Sequence, residues 1–432
     1  MKLLLCLFLL LPAFASVAAQ EESENEDVSL YAPDDDDFLH WDIGTIFDGP
    51  SEAPAFQEIE DPGASQVLSQ IRRRGIIFDA SYEFWGGFAP GWSEAPWFIT
   101  DNREFTWAPA VRMRADLGID AQISEVFRVR TSVYFTVPNF AFTLGEFFFD
   151  YNLHDRVFFR AGKFGLSWGI SPNFNFTNLP ARIPDESYSR DAFIARVDVP
   201  IGIGGLQFLA LTRANIMQGV APEWQDVGWG GKYNLAFRWA DFDMGFFHQH
   251  GMPFRCFLSI NTTIGNTEVY NEWMLAINGN NGRVSGAFNV GFVRDFFDNR
   301  LTANGELFYN AEDSAFWFDP GTTIRDAEVS PFISGFNIAL NLLYRLGGAS
   351  NPRLFLQLLY APEQHSAQLV PGFRLSPPFL PHAELYFAIP MALGRRDGFY
   401  YRNPVDIEDR RRPFSITLLL SLRGNARLAR NF

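Results

Sequence analysis

The chain has 432 residues, 47% hydrophobic and 16% aromatic, with a formal net charge of −15. That length is more than one soluble hydrophobic core usually serves, whereas one large closed sheet absorbs it. The negative charge is local: Glu21 to Ile71 holds fifteen Asp and Glu and no Lys or Arg, while from Arg72 onward 34 basic residues face 35 acidic ones. No basic patch stands apart from matching acids, which argues against nucleic acid as a partner.

In chain order, residues 1–19 read as a secretory signal peptide. Lys2 supplies a minimal positive region, Leu3 to Phe14 an apolar core, and Ser16-Val17-Ala18 or Val17-Ala18-Ala19 the small residues of a cleavage site. The apolar core is short for a membrane anchor. Loss of the signal removes Cys6 and leaves Cys256, so no intramolecular disulfide is expected, even in an oxidising compartment. Beyond the signal no run of eighteen apolar residues occurs, so no membrane helix is predicted.

Residues 20–74 form an acidic, mostly irregular N-terminal segment, expected in the periplasm or the lumen of a barrel. Its Asp34 to Asp37 run lacks the spaced ligands and the Gly of a calcium loop, which favours a solvated tail over a cation site. Phe38, Trp41, Ile43, Ile46 and Phe47 give it an apolar docking element, and Ala64 to Arg74 suits a short helix.

From Gly75 a period of two takes over, which means strands. Ile76, Phe78, Ala80, Tyr82 and Phe84 alternate with Asp79, Ser81 and Glu83. Val111, Met113, Ala115, Leu117 and Ile119 alternate with Arg112, Arg114, Asp116, Gly118 and Asp120; Phe127 to Val137 repeats the pattern around Arg128 and Arg130. Further strands are predicted at 144–151, 156–164, 191–199, 206–213, 228–239, 242–249, 254–261, 267–277, 284–294, 300–309, 335–345, 353–360, 366–375, 381–389 and 414–423. The fold class is therefore all-β, a transmembrane antiparallel up-and-down barrel of about 16–18 strands spanning 75–432. Charged faces on long strands set it apart from a soluble β-protein with a large aromatic core, which explains the 46 Phe but not the Arg. Long connections fall at 86–106, 165–190, 214–227, 311–334 and 390–412, and short ones at 120–125, 152–155, 240–241, 295–299 and 346–351. If the long ones are outer loops and the short ones periplasmic turns, all five long connections share one side.

The signal, the alternating strands and the terminal Asn431-Phe432 together resemble Gram-negative outer-membrane β-barrel proteins of the porin-like kind. Arg160-Ala161-Gly162-Lys163-Phe164-Gly165-Leu166-Ser167-Trp168-Gly169 is similar to strand-end segments of some porin-like barrels. The resemblance implies a passive or substrate-selective pore in the outer membrane, and a terminal aromatic read by the barrel-assembly machinery. Gly424 to Asn431 is polar and Arg-rich, so the last strand is expected to stop at Arg423.

The chemistry that carries enzymes is not evident. There is no G-x-S-x-G and no H-E-x-x-H, and no spacing argues for a barrel phospholipase. His248 and His250 share a strand face without a third ligand. No catalytic residue, metal or cofactor is assigned. The candidate site is the charged face: Arg112, Arg114, Asp116, Arg128, Arg130, Asp79 and Glu83, with Asp120. Two readings of it stand, a pore wall that orients polar or anionic solutes and cross-strand ion pairs that only fill the lumen. Trp168, Phe174 and Phe176 suggest that the 165–190 loop folds inward as a constriction, by analogy with porins. The expected function is a channel for passive diffusion of small polar or charged solutes, with membrane lipid as partner and the oligomeric state open. The alternative is a closed or plugged barrel acting as an adhesin or a hydrophobic-solute transporter.

Overall fold

The computed structural model describes residues 75–431 apart from 98–103, 108, 139, 167, 179–192, 213–222, 225–226, 251–252, 278–281, 283, 312–333, 349, 381 and 403–411. The signal, the acidic segment with its Asp run and Trp41 to Phe47, and Phe432 lie outside the described residues.

Eighteen staves follow in chain order: β1 (Gly75–Phe88), β2 (Pro109–Gln122), β3 (Phe127–Val137), β4 (Ala141–Leu153), β5 (Val157–Lys163), β6 (Phe193–Ile201), β7 (Gly204–Thr212), β8 (Val227–Ala236) and β9 (Asp241–Gln249). Then come β10 (Phe254–Ile264), β11 (Thr267–Ile277), β12 (Val284–Phe296), β13 (Leu301–Asn310), β14 (Gly335–Arg345), β15 (Arg353–Ala361), β16 (Ser366–Leu375), β17 (Ala383–Ala388, prolonged by Met391–Gly394) and β18 (Thr417–Asn431). Each stave pairs antiparallel with its neighbours in sequence, and β18 pairs with β1 over the whole of the latter, Gly75 opposite Asn431 and Phe88 opposite Leu418. The sheet is thus a closed barrel with no free edge. At one end of this seam Gly91–Trp92 bridges Phe105–Thr106 and Phe414–Ser415, and the Trp92 ring lies 5.1 Å from both Phe105 and Phe414.

Each of the eighteen predicted strands corresponds to a stave, and all five long connections leave from the same end. Two of the differences in boundary have a clear physical cause. Strand β8 ends at Ala236, not Trp239: the Phe237 N–H donates to the Ala240 carbonyl, and the Phe237 and Trp239 rings stack in the turn, 6.0 Å apart. Strand β18 does not stop at Arg423 but runs to Asn431, because its polar positions sit opposite acids on β1: Arg423 opposite Glu83 and Arg427 opposite Asp79.

The two faces differ in kind. On β11, Trp273 and Leu275 are 50% and 53% exposed, whereas Tyr270, Glu272 and Met274 are at most 2% exposed. The same alternation leaves Leu117, Ile119, Val290, Phe292, Leu307 and Leu354 on the outer surface. Among the described residues, no helix is long and apolar enough to cross a membrane.

Candidate functional site

After β5 the chain does not return along the rim. Residues 164–166 and 168–178 turn into the barrel, and Gly162 permits it. Its φ is +136°, and a Cβ there would collide with the backbone of Phe147 on β4. Gly169 (φ +88°) makes a second close passage, where a Cβ would meet the side chains of Asn175 and Thr177. A positive φ with no room for a side chain requires glycine at both.

The segment touches staves as far apart as β7 and β14, which only the inside of a closed barrel brings together. The Trp168 Nε1–H donates to Gln207 Oε1 on β7 at 2.6 Å, and Asn341 Nδ2 on β14 donates to Asn173 Oδ1 at 2.7 Å. Trp168, Phe174 and Phe176 pack with Phe257, Met274 and Phe308 in one apolar cluster, with Phe174 stacked on Phe308 at 5.0 Å. Trp168→Ala removes a side chain that is 1% exposed. It should cost about 3–5 kcal/mol, read as a lower temperature at which the folded band converts on unboiled SDS gels.

Two carboxylates hold the segment down. Glu306 on β13 accepts five hydrogen bonds: from Asn173 N (2.9 Å) and Nδ2 (2.6 Å) at Oε1, and from Ser171 Oγ (2.6 Å), Phe174 N (3.1 Å) and Asn289 Nδ2 (3.0 Å) at Oε2. Glu272 on β11 accepts at Oε1 from Ile170 N (3.0 Å), Thr177 Oγ1 and Ser259 Oγ (3.2 Å). Both are nearly or wholly buried, Glu306 at 4% and Glu272 at 0% exposure. Buried charge is tolerated where several donors replace the lost water.

A ladder of charges runs along the other arc. Arg128 on β3 donates to Asp120 on β2 through Nε (2.7 Å) and Nη2, and its Nη1 lies 3.6 Å from Asp150 on β4. Asp150 also accepts from Arg160 on β5, at 2.6 and 3.0 Å. Arg114 pairs with Asp116 at 2.8 Å, Arg130 with Glu146 at 3.0 Å, and Lys232 with Asp243 at 2.9 Å. Across the seam Arg423 reaches Glu83 at 2.6 Å and Arg427 reaches Asp79 at 3.5 Å. Arg112 sits opposite Trp85.

The ladder meets the inward segment at its start. Arg196 donates to Asp198, Gln207 donates to the same carboxylate at 2.8 Å, and Gln207 in turn accepts from Trp168. The guanidiniums of Arg160 and Arg196 lie 5.4 and 5.7 Å from the centre of the Phe164 ring, a favourable placement for a cation over an aromatic face. By register, Asp198 stands opposite Gln207, Arg196 opposite Arg160, Arg160 opposite Asp150, and Asp150 opposite Arg128. The pairs Gln122–Arg128, Arg114–Glu83 and Glu83–Arg423 carry the row on. Laterally paired residues share a face, so Arg112, Arg114, Asp116, Asp120, Arg128, Arg130, Asp79 and Glu83 lie on the face where Gln207 meets Trp168, whereas His248, opposite the exposed Trp229, lies on the other.

The sequence reading missed most of the partners. Arg427 lay in a stretch read as non-strand, and Arg423 was the last residue of the predicted strand. Glu146 lay behind an irregular register between Ser132 and Val133. Glu272, Glu306, Asn289, Asn304 and Asn341 were passed over, although in-strand Asn and Glu are unusual enough to be a signal. His248 lies 5.9 Å from the Trp229 ring and 6.2 Å from Phe254.

No protein-family model matches the chain, and no curated protein matches it. Solved structures do. Pseudomonas aeruginosa OccK11 (OpdR) is similar with a TM-score of 0.52 at 11% identity, covering 83% of this chain and 99% of that one. Pseudomonas aeruginosa OpdO gives 0.52 at 10% identity over 82% and 97%. Acinetobacter baumannii OccAB4 gives 0.50 at 9% identity over 83% and 100%. At these identities the likeness is one of fold.

Proposed function

We propose that the chain is a porin-like channel of the bacterial outer membrane, through which small polar or charged solutes diffuse passively, and that it is not an enzyme. The observation that carries this is the closed ring of eighteen staves with an apolar outer face and a polar inner one. Barrels of eight strands are filled by their own side chains, whereas those of 16–18 leave an aqueous channel. An apolar belt outside and charge inside is the arrangement that lipid demands.

On this reading Arg112, Arg114, Asp116, Arg128, Arg130, Asp79 and Glu83 belong to the pore wall, and residues 164–178 narrow the passage from the opposite side. The long connections face outward from the cell, residues 1–19 are a cleaved signal peptide, and residues 20–74 lie in the periplasm or the lumen. The partners are membrane lipid, the barrel-assembly machinery and the permeating solutes.

Single-channel recording in planar bilayers tests the reading, with the full chain and with residues 20–74 deleted. Discrete conductance steps are expected in both. Steps only after deletion would make the acidic segment a plug. No steps from folded protein in either form would overturn the channel and favour a closed barrel.

A further inference from the structure

The ladder is balanced, and this bears on what passes along it. Its pairs bring each cation within 4.0 Å of a carboxylate: Arg114 with Asp116, Arg128 with Asp120 and Asp150, Arg130 with Glu146, Arg160 with Asp150, Arg196 with Asp198, Lys232 with Asp243, Arg423 with Glu83 and Arg427 with Asp79. These side chains keep between 14% and 68% of their exposure, so water and solutes reach them. A row of close pairs has little net field beyond a few ångströms, because opposite charges cancel and salt screens the remainder.

The geometry of each pair matters more than the sum. Arg114 and Arg160 meet their Asp partners through the Nε and Nη2 edge of the guanidinium. That edge-on, forked arrangement leaves the Nη1 N–H groups directed away from the carboxylate. These two units therefore offer a donor edge beside a carboxylate that still has lone pairs. A solute carrying one charge gains at one half of the unit and loses at the other. A solute carrying both charges a few ångströms apart, a carboxylate and an ammonium, matches both halves. The pairs repeat from stave to stave, so such a solute passes from one unit to the next without leaving a charge unmatched.

Resting on the channel reading, we propose that the preferred solutes are small zwitterions of the amino-acid type, and that the pore discriminates little between simple cations and anions. Two measurements on the full-length barrel in bilayers test this. The first is the reversal potential in a KCl gradient. The chloride-to-potassium permeability ratio is expected to lie within about a factor of two of unity. The second is the osmotic swelling of proteoliposomes in alanine against lactamide, a neutral solute of similar size. Alanine is expected to enter about three-fold faster or more.

Asp150→Asn unpairs Arg128 and Arg160 from their shared carboxylate. It should raise the chloride-to-potassium ratio about three-fold and abolish the alanine preference. Asp116→Asn, on a more exposed pair, serves if the first variant does not fold, with the same direction and a smaller size. A wild-type pore with a ratio beyond five in either direction, or one that admits alanine no faster than lactamide, overturns the proposal while leaving the channel intact. Absence of conductance from folded protein instead overturns the channel reading, and the proposal falls with it.

Discussion

Glu306→Ala is expected to release residues 171–174 from the barrel wall and raise single-channel conductance about two- to five-fold, with added open-channel noise. The side chain removed accepts five hydrogen bonds from four residues, two of them through backbone N–H groups of the inward segment. Alanine offers none of these donors a partner, and each buried donor left unmade costs about 1–3 kcal/mol where water cannot reach it. The segment answers by moving, since water restores the bonds only if residues 171–174 lift away. Glu306→Gln keeps the shape but turns a donor toward donors, so its effect should have the same sign. Glu272→Gln should do less, because only one of the two Glu272 oxygens accepts from the segment. Conductance and noise unchanged in folded Glu306→Ala protein would mean that the apolar packing of Trp168, Phe174 and Phe176 holds the segment unaided.

Val290→Arg is the second large expected effect, and it tests the outer face. Val290 is near the middle of β12 and 40% exposed, with Leu307 of β13 opposite it at 39%. An Arg at the depth of a bilayer midplane costs about 2–4 kcal/mol. The loss should be read as a lower midpoint of denaturant unfolding in vesicles, with Val290→Leu near wild type. The neighbouring Asn289 is fully buried and hydrogen-bonds to Ser171 and Glu306, so the two positions sample opposite faces. Tolerance of Arg at 290 in lipid would show that this face does not meet hydrocarbon, and the outer-membrane reading would fail with it.

The architecture was legible because a barrel repeats one simple rule. Each stave alternates, and Val111 to Val137 shows the rule with charge against aliphatic, so eighteen strands emerge from eighteen local patterns. The alternation failed where a partner, and not the stave itself, decides. Gly424 to Asn431 reads as polar loop until Asp79 is placed opposite Arg427. The candidate wall residues were found as a face, but their pairing was not, because Arg128 to Asp150 and Arg423 to Glu83 join positions whose relative register no single strand encodes. The clamp was least visible. Glu272 and Glu306 look like isolated polar residues in apolar strands, and their role depends on a segment about a hundred residues earlier. Trp168, Phe174 and Phe176 did signal that segment, as aromatics in a Gly- and Asn-containing stretch.

The seam between β1 and β18 has a consequence for how the chain reaches this state. Every other stave meets its neighbour across a turn or a loop, but Gly75 and Asn431 lie several hundred residues apart. Bringing such distant partners together costs about 4 kcal/mol more chain entropy than closing a tight turn. Fourteen lateral pairs are gained only after that cost is met. Until then the sheet is an open ribbon with two unsatisfied edges, β1 and β18, each a template for any extended strand nearby. The last step of assembly is therefore the slow and vulnerable one. The Arg423–Glu83 and Arg427–Asp79 pairs that straddle the join bias it toward the correct partner, because a neutral or like-charged edge cannot match both positions at once.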